Sequence, residues 1–146
     1  METSIEAEIR TVINQENLAT IIKHLVFLRK SKKDHKFNML YWITHPDLNR
    51  SFYSLNKLTQ AFEEKGINEP ISPYECKTAA CLAGHVALIN KIPPQEDIPC
   101  FAMKWLNLDE RQANYLFSAD WSATPLSLIT LTQAINYLRK LQTPPA

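Results

Sequence analysis

Glycine is nearly missing from this chain, with 2 residues among 146. Loops that wrap a phosphate need backbone N–H groups unobstructed by side chains, and two-residue hairpins need backbone at positive φ, so both are disfavoured. Most nucleotide-binding architectures and hairpin-rich β folds drop out on that ground. Cysteine is sparse as well: three thiols cannot all pair within one chain, and a reducing compartment keeps them as thiols. Charge of one sign is not in excess. Sixteen basic against 15 acidic side chains leave a net charge of +1, so no global field selects a nucleic acid or a membrane surface. No apolar run approaches the ~20 residues of a membrane span, and the first ten residues carry acids where a secretory leader needs bases. A cytoplasmic protein without membrane contact is the expectation. Catalytic signatures are missing too: there is no G-x-S-x-G elbow, no P-loop and no H-E-x-x-H pair, and the carboxylates scatter over capping and surface positions. No catalytic residue is assigned, and a non-enzymatic role is expected.

What remains has an ordinary globular composition, 45% apolar and 21% charged. One domain over residues 1–146 accounts for this length and buries roughly 70% of the surface that the unfolded chain exposes. Its N-terminal segment, residues 1–15, is the least defined by pattern, and residues 143–146 read as a frayed tail.

Apolar spacing is helical almost throughout. Leu18, Ile21, Ile22, Leu25, Val26 and Leu28 make one stripe on a helix from Glu16 to Lys30, with Lys23 and Arg29 on the wet side. Upstream, Ile5, Ile9, Val12 and Ile13 suit a helix, with a short strand as the alternative. Ser54 caps a helix carrying Leu55, Leu58 and Phe62, and Gly66 supplies the left-handed residue that ends it. Pro70 and Pro73 then enforce an extended loop. Pro99 suits the first turn of a helix over Ile98–Leu106. Asp109 with Gln112, and Thr130 with Gln133, have the spacing of capping boxes, the second ahead of an amphipathic helix bearing Leu131, Ala134, Ile135, Leu138 and Leu141. The expected fold is all-α, five to seven short helices around a central apolar helix at about 79–90.

That central helix follows the segment with the densest chemistry, Glu75-Cys76-Lys77-Thr78-Ala79-Ala80-Cys81-Leu82-Ala83-Gly84-His85. Thr78 is the expected N-cap, its hydroxyl accepting the Cys81 N–H. Ala80 and Gly84, one turn apart, form a small-residue face that another helix can approach closely. Cys81 then sits in the first turn, where the helix dipole favours a thiolate, and Cys76 lies just outside. A redox pair is one reading. Against it, C-x4-C is not the C-x2-C of dithiol sites, and a small thiol on an apolar helix packs as core. Zinc is the cofactor alternative: Cys81 and His85 are i, i+4 neighbours, Cys76 folds back as a third ligand, and Cys100 or a distant histidine completes four. The leading expectation is no cofactor.

The second candidate is the basic run Arg29, Lys30, Lys32, Lys33 and Lys36, followed at once by Phe37, Met39, Tyr41 and Trp42. Cations beside aromatic rings are what single-stranded nucleic-acid sites use for phosphates and stacked bases. The structural alternative is a solvated helix end whose charges complement the dipole, with the aromatics docked on the core.

The order Phe37-x-Met39-x-x-Trp42, then Cys76-x-Thr78-x-x-Cys81-x-Ala83-Gly84, then Leu106-x-Leu108 with Gln112, Leu116-Phe117 and Trp121, resembles a family of small uncharacterised proteins of bacteria, phages and prophages. Their signature is C-G-T-x-x-C-x-A-G-W-A. Lys77 stands where the signature has Gly, and His85 where it has Trp, which weighs against His85 as a family-wide metal ligand. The resemblance implies a compact helical accessory protein that acts by binding. The leading expectation is therefore a binding protein, an accessory or inhibitor that takes an acidic protein partner through Arg29, Lys30, Lys32, Lys33, Lys36, Tyr41 and Trp42. Nucleic acid or a nucleotide on the same surface is the first alternative, and a zinc or thiol protein centred on Cys76, Cys81 and His85 the second.

Overall fold

The computed structural model describes residues 4–48, 50–69 and 78–143. Among them the chain forms seven α-helices: α1 (Ser4–Val12), α2 (Gln15–Lys30), α3 (Leu55–Lys65), α4 (Leu82–Asn90), α5 (Ile98–Trp105), α6 (Glu110–Phe117) and α7 (Leu131–Lys140). Single 3-10 turns at Asp34–Lys36 and Leu126–Leu128 interrupt the connections. Two two-residue strands, β1 (Ile43–Thr44) and β2 (Ala79–Ala80), pair antiparallel, with Ile43 opposite Ala80 and Thr44 opposite Ala79. The fold is all-α, with this ladder as a local tie.

Local chemistry explains most helix ends. Asn14 accepts the Asn17 N–H at the start of α2, Ser54 the Lys57 N–H at α3, and Asp97 the Cys100 N–H at α5. Asp109 and Thr130 each complete a capping box, with Gln112 and Gln133 returning a bond to the cap N–H. Gly66 ends α3 in the left-handed region at φ 69°. The N-terminal segment is helical, not a strand, and it is docked: the Arg10 guanidinium donates to the Lys140 carbonyl at 2.8 and 3.0 Å, and the Tyr137 hydroxyl donates to Glu6 at 2.9 Å.

The central helix differs from expectation at its start. Thr78 is not its N-cap. Residues 79 and 80 are drawn into the ladder with β1, the Ala80 carbonyl accepts the Asn38 N–H, and α4 begins only at Leu82 with Cys81 as N-cap. Backbone partners some 40 residues away outweigh the local capping preference, as they do when a buried N–H or carbonyl has no other partner. Pro70 and Pro73, with their expected extended loop, lie outside the described residues. So does most of the expected tail.

Seven consecutive residues of α4, Leu82 to Leu88, are buried. Leu82, Ala83, Val86, Ala87 and Leu88 belong to one apolar cluster that runs from Ile9 to Leu141 and takes in all seven helices. The broadest helix pairings are α4 with α5 and α2 with α7. Ala80 and Gly84 do form a close-approach face, but a loop uses it rather than a helix: the Trp42 backbone carbonyl lies where a Cβ on Gly84 would be. No helix among the described residues is long and apolar enough to cross a membrane.

Candidate functional site

Cys81 caps the start of α4 and His85 lies one turn into it, and both are committed to the interior. The Cys81 thiol is 3.9 Å from the Trp42 carbonyl oxygen, and burial pushes it up to about 11 against the opposing pull of the Gly84 and Ala83 N–H groups. A thiol in that state is neutral at physiological pH, so the helix start does not make a thiolate of it.

His85 Nε2 is 2.7 Å from the Lys36 carbonyl oxygen, and its Nδ1 is 3.0 Å from His24 Nε2. A carbonyl only accepts, so His85 carries its proton on Nε2. Its Nδ1 lone pair then accepts from His24 Nε2–H. The result is a directed chain, His24 to His85 to the Lys36 backbone, that ties α2 to α4 and to the turn at Asp34–Lys36. Burial lowers His85 to about 3 and His24 to about 4, with the Lys36 ammonium acting in the same direction on both. Both rings are neutral at pH 7.

This arrangement bears on the zinc alternative. A ligating imidazole needs an available lone pair, and that of His85 is taken by His24. His85 therefore presents no donor to a metal as it stands. Cys76, the third candidate ligand, lies outside the described residues. Cys100 is exposed near the start of α5. Among the described residues no three His, Cys, Asp or Glu side chains are grouped as a metal site.

The basic run is divided by the fold. Lys30 and Lys32 are exposed, Arg29 and Lys33 half-buried, and Arg29 reaches the Thr132 hydroxyl of α7 at 3.3 Å. Lys36 is different: it is 0% exposed, the largest fully buried side chain described. It belongs to the interior beside His24 and His85, not to a solvated patch. Trp42 also leaves the group. Its ring stands 6.1 Å from Tyr53 and 6.3 Å, edge-on, from Phe117, in a cleft between the 51–54 segment, α5 and α6. Tyr41 is half-buried, and its backbone carbonyl accepts the Cys81 N–H at 2.8 Å.

In place of the lost members, the structure adds one that periodicity makes readable afterwards. Lys23, Phe27 and Lys30 follow one another at i, i+4 and i+7 on α2, all exposed, with Phe27 49% accessible. An aromatic ring flanked by two ammonium groups thus faces solvent on the outer side of the helix. Sequence reading passed over Phe27 because it adjoins the buried stripe.

A third buried histidine had no sequence signal at all. His45 follows β1, is 0% exposed, and has Nε2 2.5 Å from Glu69. Its Nδ1 accepts the Asp47 N–H at 3.2 Å, which places the proton on Nε2 and directs it to the carboxylate. Phe62 meets the ring edge-on at 5.3 Å. An imidazole bonded at both nitrogens offers no free lone pair to a substrate proton. His45 and His85, each bonded at both nitrogens, thus serve as internal joints, and His24 joins them through its bond to His85.

No family model matches this chain, and neither does any curated protein or solved structure.

Proposed function

We propose that this protein is a non-enzymatic binding protein that captures an acidic protein partner through the outer face and C-terminal end of α2. One observation carries the reading: the exposed stripe Lys23, Phe27 and Lys30 runs directly into Lys32 and Lys33. Interfaces combine an apolar or aromatic anchor with a charged rim that steers the partner, and this face has both. An accessory or inhibitor role of the kind carried by mobile elements accords with the signature around Cys81. The commitment of His24, His45 and His85 to internal hydrogen bonds supports binding over chemistry.

Nucleic acid on the same face is the weaker reading. It needs stacking rings among the cations, whereas Trp42 lines a cleft elsewhere and Phe27 is the exposed ring that remains beside the lysines.

The test is a pull-down from native lysate with the wild-type chain and a Lys30→Glu, Lys32→Glu, Lys33→Glu variant. Capture is expected to weaken at least tenfold in the variant and to fall with rising salt, with unchanged circular dichroism. Lys36 is left intact, since reversing a fully buried charge would test folding instead. Undiminished capture by the variant, or capture that nuclease treatment abolishes, sinks the reading.

A further inference from the structure

The cleft that Trp42 enters has a chemistry opposite to that of the basic edge. It encloses about 410 Å3, within the range of small-ligand sites, and opens between the 51–54 segment, α5 and α6. Phe117 is buried and forms the floor; Trp42, Tyr53 and Met103 form the walls. Asp97 and Glu110 are exposed carboxylates at the rim, and none of the described lining side chains is Lys, Arg or His. Both acids act on a further group of the lining: the exposed Cys100 thiol is raised above its ordinary value chiefly by its hydrogen bond to Asp97, with Glu110 adding to the effect and Lys104 opposing it.

The backbone that carries the two rings is tied before any ligand arrives. The Trp42 backbone N–H donates to the Ser51 hydroxyl at 2.8 Å, and the Tyr53 carbonyl accepts the Ile98 N–H at 2.7 Å, so both ends of the loop that carries Trp42 and Tyr53 are tied. Tyr53 nevertheless keeps 59% of its surface accessible. An exposed ring anchored by its backbone presents an open π face at little further entropic cost.

From aromatic walls, a carboxylate rim and the lack of a basic lining group, we infer that this cleft binds a small organic cation with an alkylated ammonium head. The head sits over the faces of Trp42 and Tyr53, within about 6 Å of a ring centroid, where the negative face of each ring attracts it. Asp97 and Glu110 supply the counter-charge at the mouth. A neutral ligand of the same shape gains the apolar contact and loses the electrostatic part. This site is independent of the α2 surface, so either proposal can fail alone.

The experiment uses the full chain, with choline as the cationic probe and 3,3-dimethylbutan-1-ol as its uncharged carbon counterpart. Isothermal titration gives the affinity, and the Trp42 indole N–H signal in an NMR spectrum gives the location. Choline is expected to bind roughly tenfold more tightly than the alcohol and to shift the Trp42 signal. Tyr53→Leu and Glu110→Gln, both changes at exposed positions, are expected to weaken choline binding at least threefold each while leaving the thermal midpoint in place. Equal binding of the alcohol, no binding of choline, or choline binding that neither variant weakens overturns the assignment. Should Tyr53→Leu fold poorly, Glu110→Gln alone decides whether the rim charge matters.

Discussion

Gly84 shows how far a residue's neighbours can reverse its intrinsic preference. Within a helix, replacing glycine by alanine is favourable by up to ~1 kcal/mol on propensity alone, and Gly84 lies in the first turn of α4. Here a Cβ would strike the Trp42 carbonyl oxygen and come within 2.5 Å of the Ala80 Cβ. A backbone carbonyl held by its own chain has little room to retreat, so Gly84→Ala is expected to destabilise the protein by about 2 kcal/mol. Urea unfolding at neutral pH checks this, and a variant as stable as the wild type would contradict the packing described. The spacing of Ala80 and Gly84 announced a close approach, but not that a loop makes it. His24 was legible in the same partial way: it lies three residues after Ile21 and four before Leu28, on the buried stripe of α2. Its partner was not, because no local rule pairs residues 24 and 85.

Elements were the most legible scale. Caps act within three or four residues, so Ser54, Asp109 and Thr130 are readable from the chain and occupy the expected places. Each capping box satisfies backbone N–H groups that the helix itself leaves unbonded. Asp109→Ala is therefore expected to cost about 1 kcal/mol, measurable as a lowered urea midpoint. No loss would mean that water replaces the carboxylate at that end. Thr78 failed as a cap because its neighbours Ala79 and Ala80 find backbone partners in β1 and in Asn38. Propensity ranks local alternatives only, and a ladder to a distant segment is not among them.

At the scale of the molecule, the histidine chain makes stability depend on acidity. His24 and His85 bind protons with values of about 4 and about 3 when folded, against 6.5 as ordinary side chains. Between pH 6.5 and about 4 the unfolded chain therefore holds more protons than the folded one. Stability rises with pH through that window: the contribution is fully present above 6.5 and is lost as the pH falls toward the folded values. By pH 5 the loss is roughly 2 kcal/mol for His24 alone, at about 1.4 kcal/mol for each pH unit below the unfolded value. Urea midpoints at pH 7 and pH 5 measure it. His24→Gln should be weaker than wild type at pH 7 and decline less between the two; an unchanged decline would place the sensitivity elsewhere. The same burial removes Lys36 from any surface, so the basic edge is reduced to the end of α2.

Sequence by itself determined the helical class, most helix ends and the apolar stripes. Those follow from contacts within about four residues and from the sorting of apolar from polar groups. Only the tertiary structure decided that Cys81 is a buried thiol, that Lys36 lies inside and that Trp42 turns toward Tyr53 and Phe117 rather than toward the lysines. The reason is physical. Each of these outcomes depends on partners 11 to 75 positions away, and which distant groups meet is settled by packing the whole core at once.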